Sequence, residues 1–279
     1  MDFVDLHIHT TASDGSMSPS RIVEMALEKG LYAIAITDHD TVDGVAEAVD
    51  AARGTPLKVI PGVEISANYN GRDVHVLGLN LDWENPFLVS ALKQVEDMRR
   101  SRNEGICSLL REHGINITAE ECYARTGNNC LTRGSIARLM IEKGYVETIQ
   151  EAFEKYLSSS APCYVPRFKM PLDDTYKLIS YCGGICSLAH PVQYKMSDDE
   201  YRTLFLTLKQ KGFSCIEAIH SDNGPFDQEK FTRLANECGL KITGGSDFHG
   251  ASKPDVQIGT GRANIMVPKE ILANIGIKY

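Results

Sequence analysis

Short apolar runs alternate with segments in which apolar residues recur every three or four positions along the first third of the chain. The runs at residues 3–8, 31–36, 57–63 and 74–79 predict buried strands, and the segments 19–28 and 42–52 predict helices. Alternating strands and helices imply parallel strands joined by helical crossovers, as in a barrel or a doubly wound sheet. Of these two architectures we expect the α/β barrel.

The pattern changes between about residues 85 and 166. Helical patterns at 88–113, 134–143 and 148–156 follow one another there without an intervening strand. Strand-like runs return at 185–188, 214–218 and 241–243, again separated by helical patterns. Because both halves are needed to complete the sheet, we expect one barrel domain formed by residues 1–86 and 167–279. Residues 87–166 would be a helical cap inserted into it.

Composition and charge narrow the classes of function. The 279 residues suffice for one large α/β barrel, and 43% hydrophobic with 24% charged residues is typical of an ordinary globular protein. A formal net charge of -8 argues against binding of long nucleic acid, which needs a broad basic face. The first residues lack the basic and apolar stretches of an export signal. We therefore expect a cytoplasmic protein with no membrane partner and no obligatory protein partner.

Most histidines of the chain follow predicted strands. Seven of the eight occur at or just beyond the carboxyl end of a predicted strand, namely His7, His9, His39, His75, His190, His220 and His249. In parallel α/β folds the loops at these strand ends meet at one rim, where active sites are built. Carboxylates occur beside the same strand ends, at Asp14, Glu64 and Asp247. We therefore expect residues that are distant in sequence to converge.

This mixture of imidazoles and carboxylates is typical of a site for divalent cations. His7 and His9 lie on one face of a strand, about 7 Å apart, a spacing that ligands of one ion or of neighbouring ions use. Taken singly, each group also suits a half-exposed strand, a solvated loop charge or, for His75, a satisfied core histidine. Nine of them at one rim are better explained as metal ligands, namely His7, His9, Asp14, His39, Glu64, His75, His190, Asp247 and His249.

Four motifs resemble those of the polymerase and histidinol phosphatase (PHP) family: His7-Ile8-His9 with Ser13-Asp14-Gly15, Thr37-Asp38-His39-Asp40, Leu188-Ala189-His190-Pro191, and Ser246-Asp247-Phe248-His249. The resemblance covers almost the whole chain outside the helical insertion. It implies a distorted seven-stranded (β/α) barrel, TIM-like in plan, that carries three divalent ions. By position, the first ion would be held by His7, His9, Glu64 and Asp247, the second by Glu64, His75 and His190, and the third by Asp14, His39 and His249.

The cap resembles that of free-standing family members, which include a 3',5'-nucleoside bisphosphate phosphatase and enzymes that trim RNA from its 5' end. The segments 132–138 and 164–167 carry this likeness, although Gly134 replaces the usual proline. Arginine binds phosphate through paired N–H donors. We expect substrate contacts from the cap arginines Arg102, Arg133, Arg138 and Arg167. His220 would be a further substrate contact or a proton donor.

The resemblance also implies a mechanism. A hydroxide that bridges two ions would attack phosphorus, since metal binding lowers the pKa of water from 15.7 toward about 7. The catalytic set would be five of the metal ligands, His7, His9, Glu64, Asp247 and His249. Asp38 and Asp40 would orient imidazoles. Manganese is the metal we expect first, and iron or zinc suits the same ligands.

These observations predict a metal-dependent phosphatase or phosphodiesterase whose substrate is a phosphorylated small molecule or a short oligonucleotide. A 3'-phosphatase acting on 3',5'-nucleoside bisphosphates and a 5'-3' oligoribonuclease are the activities that we expect first. One alternative is a histidinol phosphate phosphatase of the same family, which the arginine-rich cap disfavours. Another is a metal-dependent binding module without turnover, which the complete ligand set disfavours.

Overall fold

The computed structural model describes residues 2–126, 131–262 and 264–278. The chain forms two compact units. The first comprises Met1–Ser90 and Lys169–Tyr279, and the second comprises Ala91–Phe168. The described strands all belong to the first unit.

The secondary structure elements are numbered here in chain order. The strands are β1 Phe3–Ile8, β2 Ala33–Ile36, β3 Lys58–Tyr69, β4 Arg72–Leu79, β5 Met170–Pro171, β6 Ile185–Leu188, β7 Cys215–His220, β8 Lys241–Gly245 and β9 Val267–Pro268. The helices are α1 Pro19–Glu28, α2 Asp43–Ala52, α3 Pro86–Glu112, α4 Ala119–Thr126, α5 Arg133–Glu142, α6 Ile149–Ala152, α7 Leu172–Tyr181, α8 Asp198–Gln210, α9 Pro225–Glu237 and α10 Glu270–Ile275. A π-helical turn, Phe153–Leu157, follows α6.

The strands form one sheet in the order β8-β7-β6-β4-β3-β2-β1-β9, with β5 beside β3. The sheet curls until β1 meets the end of β8. There the Asp247 N–H donates to the carbonyl oxygen of His7, and the His9 N–H donates to that of Phe248, both at 2.9 Å. The longer strands thereby form a nearly closed, distorted barrel. The predicted α/β barrel is confirmed.

The predicted strict alternation of strands and helices is wrong between β3 and β4. β3 turns directly into β4 through Asn70 and Gly71, whose φ angles are 51° and 82°. Such residues suit the tight turn of an antiparallel hairpin, and Tyr69 pairs with Arg72 across it. β4 therefore runs antiparallel to β3 and β6. Its amino-terminal half lies at the rim where the parallel strands have their carboxyl ends.

The helices of the first unit bury one apolar face each. In α1, the Ser18 side chain accepts a hydrogen bond from the third residue of the helix, and Ile22 and Ala26 are buried at a helical spacing. A core cluster joins side chains of the first four strands to α10, including Val4, Leu6, Ala33, Ile60, Leu77 and Ile271. This packing holds the strand ends at the rim in fixed positions.

Close approach of β1 and β8 depends on one glycine and one buried carboxylate. A Cβ on Gly245 would lie 2.4 Å from the Cβ of His7, so a larger residue would push the strands apart. Asp5 is 1% exposed. Its oxygens accept hydrogen bonds from the Ser246 N–H at 2.8 Å, the Ser246 hydroxyl at 2.6 Å and the Gly259 N–H at 2.7 Å. Asp5 therefore ties β1 to the segment that follows β8.

The second unit is helical. Its core includes Ile106, Leu110, Ile117, Ile136, Met140 and Leu157. The helical patterns of the sequence correspond here to α3, to α5, and to α6 with its π-helical turn. Within residues 2–126, 131–262 and 264–278, no helix is both long and apolar enough to cross a membrane.

Replacing Asp5 should weaken the barrel. Asp5→Ala leaves three buried donors without their acceptor, so we expect the free energy of unfolding to fall by about 3 kcal/mol. Urea denaturation of the metal-free protein measures this loss. Asp2→Ala removes an exposed partner of Lys269 and should leave the free energy unchanged within error. Equal effects of the two variants would contradict the role of Asp5.

Candidate metal centre

The nine predicted ligands gather at one rim of the barrel. Parallel strands supply most of them near or after their carboxyl ends: His7 and His9 with β1, Asp14 after β1, His39 after β2, His190 after β6, and Asp247 with His249 after β8. His75 comes from the amino-terminal half of β4 because that strand is antiparallel. The prediction that His75 ends a strand is therefore wrong, although its place at the rim is as expected.

Glu64 is the residue around which the other ligands are arranged. It lies within β3 and is 1% exposed. Its Oε1 is 3.0 Å from Nδ1 of His75 and 2.9 Å from Nε2 of His190. Its Oε2 faces three more imidazole nitrogens, those of His39 at 3.0 Å, His9 at 3.2 Å and His7 at 3.4 Å. One carboxylate therefore contacts five imidazoles.

Two further carboxylates, those of Asp247 and Asp14, contact the imidazole of His249, which is the remaining histidine among the predicted ligands. Oδ1 of Asp247 lies 3.4 Å from Nε2 of His9 and 3.4 Å from Nδ1 of His249. Oδ1 of Asp14 lies 3.3 Å from Nε2 of His249, and Oδ2 of Asp14 lies 3.8 Å from Nε2 of His39. Both ring nitrogens of His249 thus face carboxylates.

Four groups of ligand atoms within the described residues are compact enough to hold an ion. They are His9, Asp14, His39 and His249; His7, His9 and Asp247; His39, Glu64 and His75; and His7, Glu217 and His220. The ligand atoms of each group lie within 4.8 Å of one another. The first three groups overlap in part with the ligand sets implied for the third, first and second ions. His9 is added to the set of the third ion, Glu64 is absent from that of the first, and His39 takes the place of His190 in that of the second.

Buried polar atoms without a hydrogen-bond partner indicate that the cluster fits cations. In the part of the chain that is described, they are His9 Nδ1, His39 Nδ1, Glu64 Oε2, His190 Nδ1, His220 Nε2 and Asn223 Oδ1. All but the last belong to the cluster. In addition, the Nε2 atoms of His7 and His9 lie only 3.1 Å apart. Buried polar atoms without partners are costly, and divalent cations coordinated by Glu64, His9 and His39 would remove part of this cost.

Opposite charges stabilise one another strongly in this cluster. Burial raises the pKa of Glu64, but the imidazoles of His39 and His7 outweigh burial and hold this pKa well below its usual range. Burial lowers the pKa of His9, but its contacts with Asp247 and Glu64 prevail and raise this pKa to about 10. The carboxylates at the rim are therefore kept ionised by positive charge around them, which divalent cations would also provide.

Sequence reasoning missed Glu217, which is fully buried in the middle of β7. Its Oε1 lies 3.0 Å from Nδ1 of His7, and its Oε2 accepts a hydrogen bond from the His190 N–H at 2.8 Å. In the sequence, candidate ligands were recognised as polar residues at the ends of predicted strands. Glu217 lies inside an apolar strand and therefore gave no such signal. A register irregularity between Glu217 and Ile219 interrupts the alternation of β7, so Glu217 and His220 both come within reach of His7.

Lys253 was also missed. Its Nζ lies 2.6 Å from Oδ2 of Asp247, and its side chain is 32% exposed. The residue follows the last motif by only a few positions, but a lysine beside predicted metal ligands gives no sequence signal of its own. Lys253 places a positive charge at the solvent side of the centre.

Asp38 and Asp40 position loops at the rim. Asp38 accepts hydrogen bonds from the Thr10 N–H at 2.7 Å and from the Ser13 hydroxyl at 2.5 Å. Asp40 accepts one from the Ser66 N–H at 2.9 Å. These contacts fix the loop after β1 and the backbone next to Glu64. The predicted role of the two aspartates in orienting imidazoles stays a prediction.

Three predicted substrate arginines, Arg102, Arg133 and Arg167, belong to the second unit. Arg102 is half-buried, and burial lowers its pKa to about 10, with a further contribution from the guanidinium groups of Arg133 and Arg167. The Arg133 guanidinium lies 5.4 Å from the ring centres of both Phe153 and Tyr164. Like charges held together in partly buried surroundings form a candidate anion site.

The other two predicted substrate contacts lie elsewhere. Arg138 is exposed on α5. His220 is fully buried, accepts a hydrogen bond at Nδ1 from the Asp222 N–H at 3.1 Å, and has Nε2 3.6 Å from Oδ2 of Asp247. Because Nδ1 accepts, the neutral ring carries its proton on Nε2 and directs it toward Asp247. This burial does not fit a direct contact between His220 and substrate.

The chain is similar to several known bacterial proteins. A family model described as the PHP domain matches residues 5–233. A 5'-3' exoribonuclease of Haemophilus influenzae is 33% identical over 88% of this chain and 89% of its own length. A 3',5'-nucleoside bisphosphate phosphatase of Chromobacterium violaceum is 30% identical over 92% of this chain and 90% of its own length. The solved structure of a protein from Bifidobacterium adolescentis, described as a metal-dependent phosphoesterase, has a TM-score of 0.79 at 28% identity and covers 98% of this chain and 94% of its own.

Divalent metal should stabilise the fold. An ion that binds only the folded chain adds about 2.7 kcal/mol at one hundred times its Kd. We therefore expect Mn2+ to raise the melting temperature in thermal unfolding and EDTA to reverse the increase. Glu64→Ala removes the carboxylate shared by the ligands and should abolish most of this response. An equal Mn2+ response in the variant and the original protein would contradict the central position of Glu64.

Proposed function

Because the chain belongs to the PHP domain family, we propose that it hydrolyses phosphate esters of nucleotides or short RNA with divalent cations held around Glu64. The observation that supports this function most is the convergence of buried imidazole and carboxylate atoms that have no hydrogen-bond partner. An assembly of this kind is costly for a fold unless cations bind to it. It therefore favours an enzyme or a metal-binding protein over a purely structural one.

We propose three ions. The first would be held by His7, His9, Glu64 and Asp247, the second by Glu64, His75 and His190, and the third by Asp14, His39 and His249. In support, Glu64 contacts His7 and His9 through Oε2 and contacts His75 and His190 through Oε1. A carboxylate with its two oxygens directed this way can bridge two ions. Manganese is the metal that we propose first, and iron or zinc suits the same donor atoms.

The ions would supply an activated water as the nucleophile and would stabilise charge on the phosphoryl oxygens. The chain's own residues would hold the ions in place and balance their charge. Glu64 keeps both oxygens directed at ligands while the protein excludes water from around it. Lys253 adds a positive charge beside Asp247, which favours an anionic phosphate at the exposed edge of the centre.

The substrate that we propose carries at least one phosphate besides the one that is cleaved. The guanidinium groups of Arg102, Arg133 and Arg167 raise the local positive potential, and such groups bind phosphate through paired N–H donors. The two curated relatives described above are named for nucleotide and RNA substrates. We therefore propose that this enzyme is a 3',5'-nucleoside bisphosphate 3'-phosphatase, a 5'-3' oligoribonuclease, or both. We also propose that it acts in the cytoplasm.

A substrate panel tests this assignment. The panel contains a 3',5'-nucleoside bisphosphate, short 5'-phosphorylated RNA and histidinol phosphate, each with Mn2+. We expect phosphate from the first or mononucleotides from the second, and little release from histidinol phosphate, which carries a single phosphate. Release mainly from histidinol phosphate would favour the alternative phosphatase. No hydrolysis of any substrate at full metal loading would favour a binding module.

Separate substitutions test the division of labour between ligands and arginines. His9→Ala and Asp247→Ala should abolish turnover because each removes a proposed ligand of the first ion. Arg133→Ala should raise KM about tenfold, equivalent to about 1.4 kcal/mol, and leave kcat nearly unchanged. Arg100→Ala, which alters an exposed guanidinium of the same unit, is the matched control and should change neither constant. Loss of kcat alone in Arg133→Ala would refute a role in binding.

A further inference from the structure

Glu217 is a buried carboxylate that belongs to none of the three proposed ions. It is fully buried and lies in a strand whose other residues, apart from His220, are apolar. A buried carboxylate is costly unless polar partners satisfy it. The partners of Glu217 therefore indicate its role.

One partner is the ring of His7. Nδ1 of His7 lies 3.0 Å from Oε1 and 3.2 Å from Oε2 of Glu217. A carboxylate only accepts hydrogen bonds, so the proton of a neutral His7 must be on Nδ1. Nε2 of His7 is then free to coordinate, and it is the atom that lies 3.4 Å from Glu64 and 3.7 Å from Asp247. Glu217 thus selects the ring tautomer that a metal ligand needs.

The other partner is the backbone of His190. Oε2 of Glu217 accepts a hydrogen bond from the His190 N–H at 2.8 Å. The φ angle of His190 is 26°, in a region that residues other than glycine rarely adopt. This backbone conformation directs Nε2 of His190 to within 2.9 Å of Glu64. Glu217 therefore helps to hold a strained turn that aims a second proposed ligand.

These contacts also argue against a fourth ion between His7, Glu217 and His220. Both oxygens of Glu217 are already used, by the His7 ring and by the His190 N–H. His220 accepts the Asp222 N–H at Nδ1, so its neutral ring carries a proton on Nε2. His7, Glu217 and His220 therefore lack a set of free donor atoms for an ion. Their contacts instead hold proposed ligands of the other ions in position.

We propose that Glu217 is a positioning residue that prepares His7 and His190 to hold two neighbouring ions, and so controls the affinity for both. The inference rests on the metal centre proposed above. It predicts a selective effect, because the third ion has ligands, Asp14, His39 and His249, that make none of these contacts with Glu217 within the described structure.

Glu217→Gln tests the proposal with little change in volume. The amide places an NH2 donor where one carboxylate oxygen now accepts, so either the Nδ1–H of His7 or the N–H of His190 faces a donor instead of an acceptor. The full-length protein is freed of metal with EDTA and titrated with Mn2+ while electron paramagnetic resonance measures the free ion. We expect the original protein to bind three ions. In Glu217→Gln, two of them should bind roughly 10- to 100-fold more weakly, and the third should keep its affinity.

Glu229→Gln is the matched control, since it makes the same chemical change at an exposed position of α9, and it should leave the titration unaltered. Circular dichroism of the metal-free proteins checks that the variants fold. If Glu217→Gln does not fold, Glu217→Asp keeps the charge but withdraws the oxygens by one methylene group, and it should show the same selective loss.

Two results would overturn the proposal. One is a Mn2+ titration of the folded variant that matches the original protein. The other is equal weakening of all three ions, which a general loss of stability would cause. Failure of the original protein to bind Mn2+ at all is a separate result, because it would remove the metal centre on which the inference depends.

Discussion

The contact between the buried carboxylate of Glu64 and five surrounding imidazoles is the interaction on which the rest of the site depends. Isolated from water, this carboxylate needs positive charge around it, and the imidazoles in turn need acceptors or cations. Neither the Glu64 carboxylate nor the group of imidazoles would be stable in this buried position without the other. A barrel rim is suited to such an arrangement because it collects side chains from strands that are far apart in sequence.

Two further buried carboxylates, those of Asp5 and Glu217, support the arrangement around Glu64. Asp5 ties β1 to the loop after β8, and Glu217 ties the ring of His7 to the backbone of His190. Gly245 lets β1 and β8 come close enough for these contacts. These contacts connect the strands that carry the candidate ligands, which favours fixed distances between those ligands and a cation.

Hydrophobic patterns predicted several elements to the residue: β1, β6 and α1 have the predicted bounds. The motifs likewise predicted that nine candidate ligands would gather. The strand β4 was predicted but its antiparallel direction was not, although Asn70-Gly71 is a hairpin signal, because strict alternation of strands and helices implies helical crossovers. Glu217 could not be predicted, since its direction depends on an irregularity in β7 that leaves no mark in the sequence. The exposure of Arg138 depends on packing within the helical unit.

The most direct test of the account is anomalous diffraction from crystals grown with Mn2+, recorded at the manganese absorption edge. The account predicts anomalous peaks in contact with both oxygens of Glu64, with imidazoles of His7, His9, His75 and His190 completing the coordination. Anomalous maps without a peak in contact with Glu64, at a manganese concentration that supports hydrolysis, would contradict it.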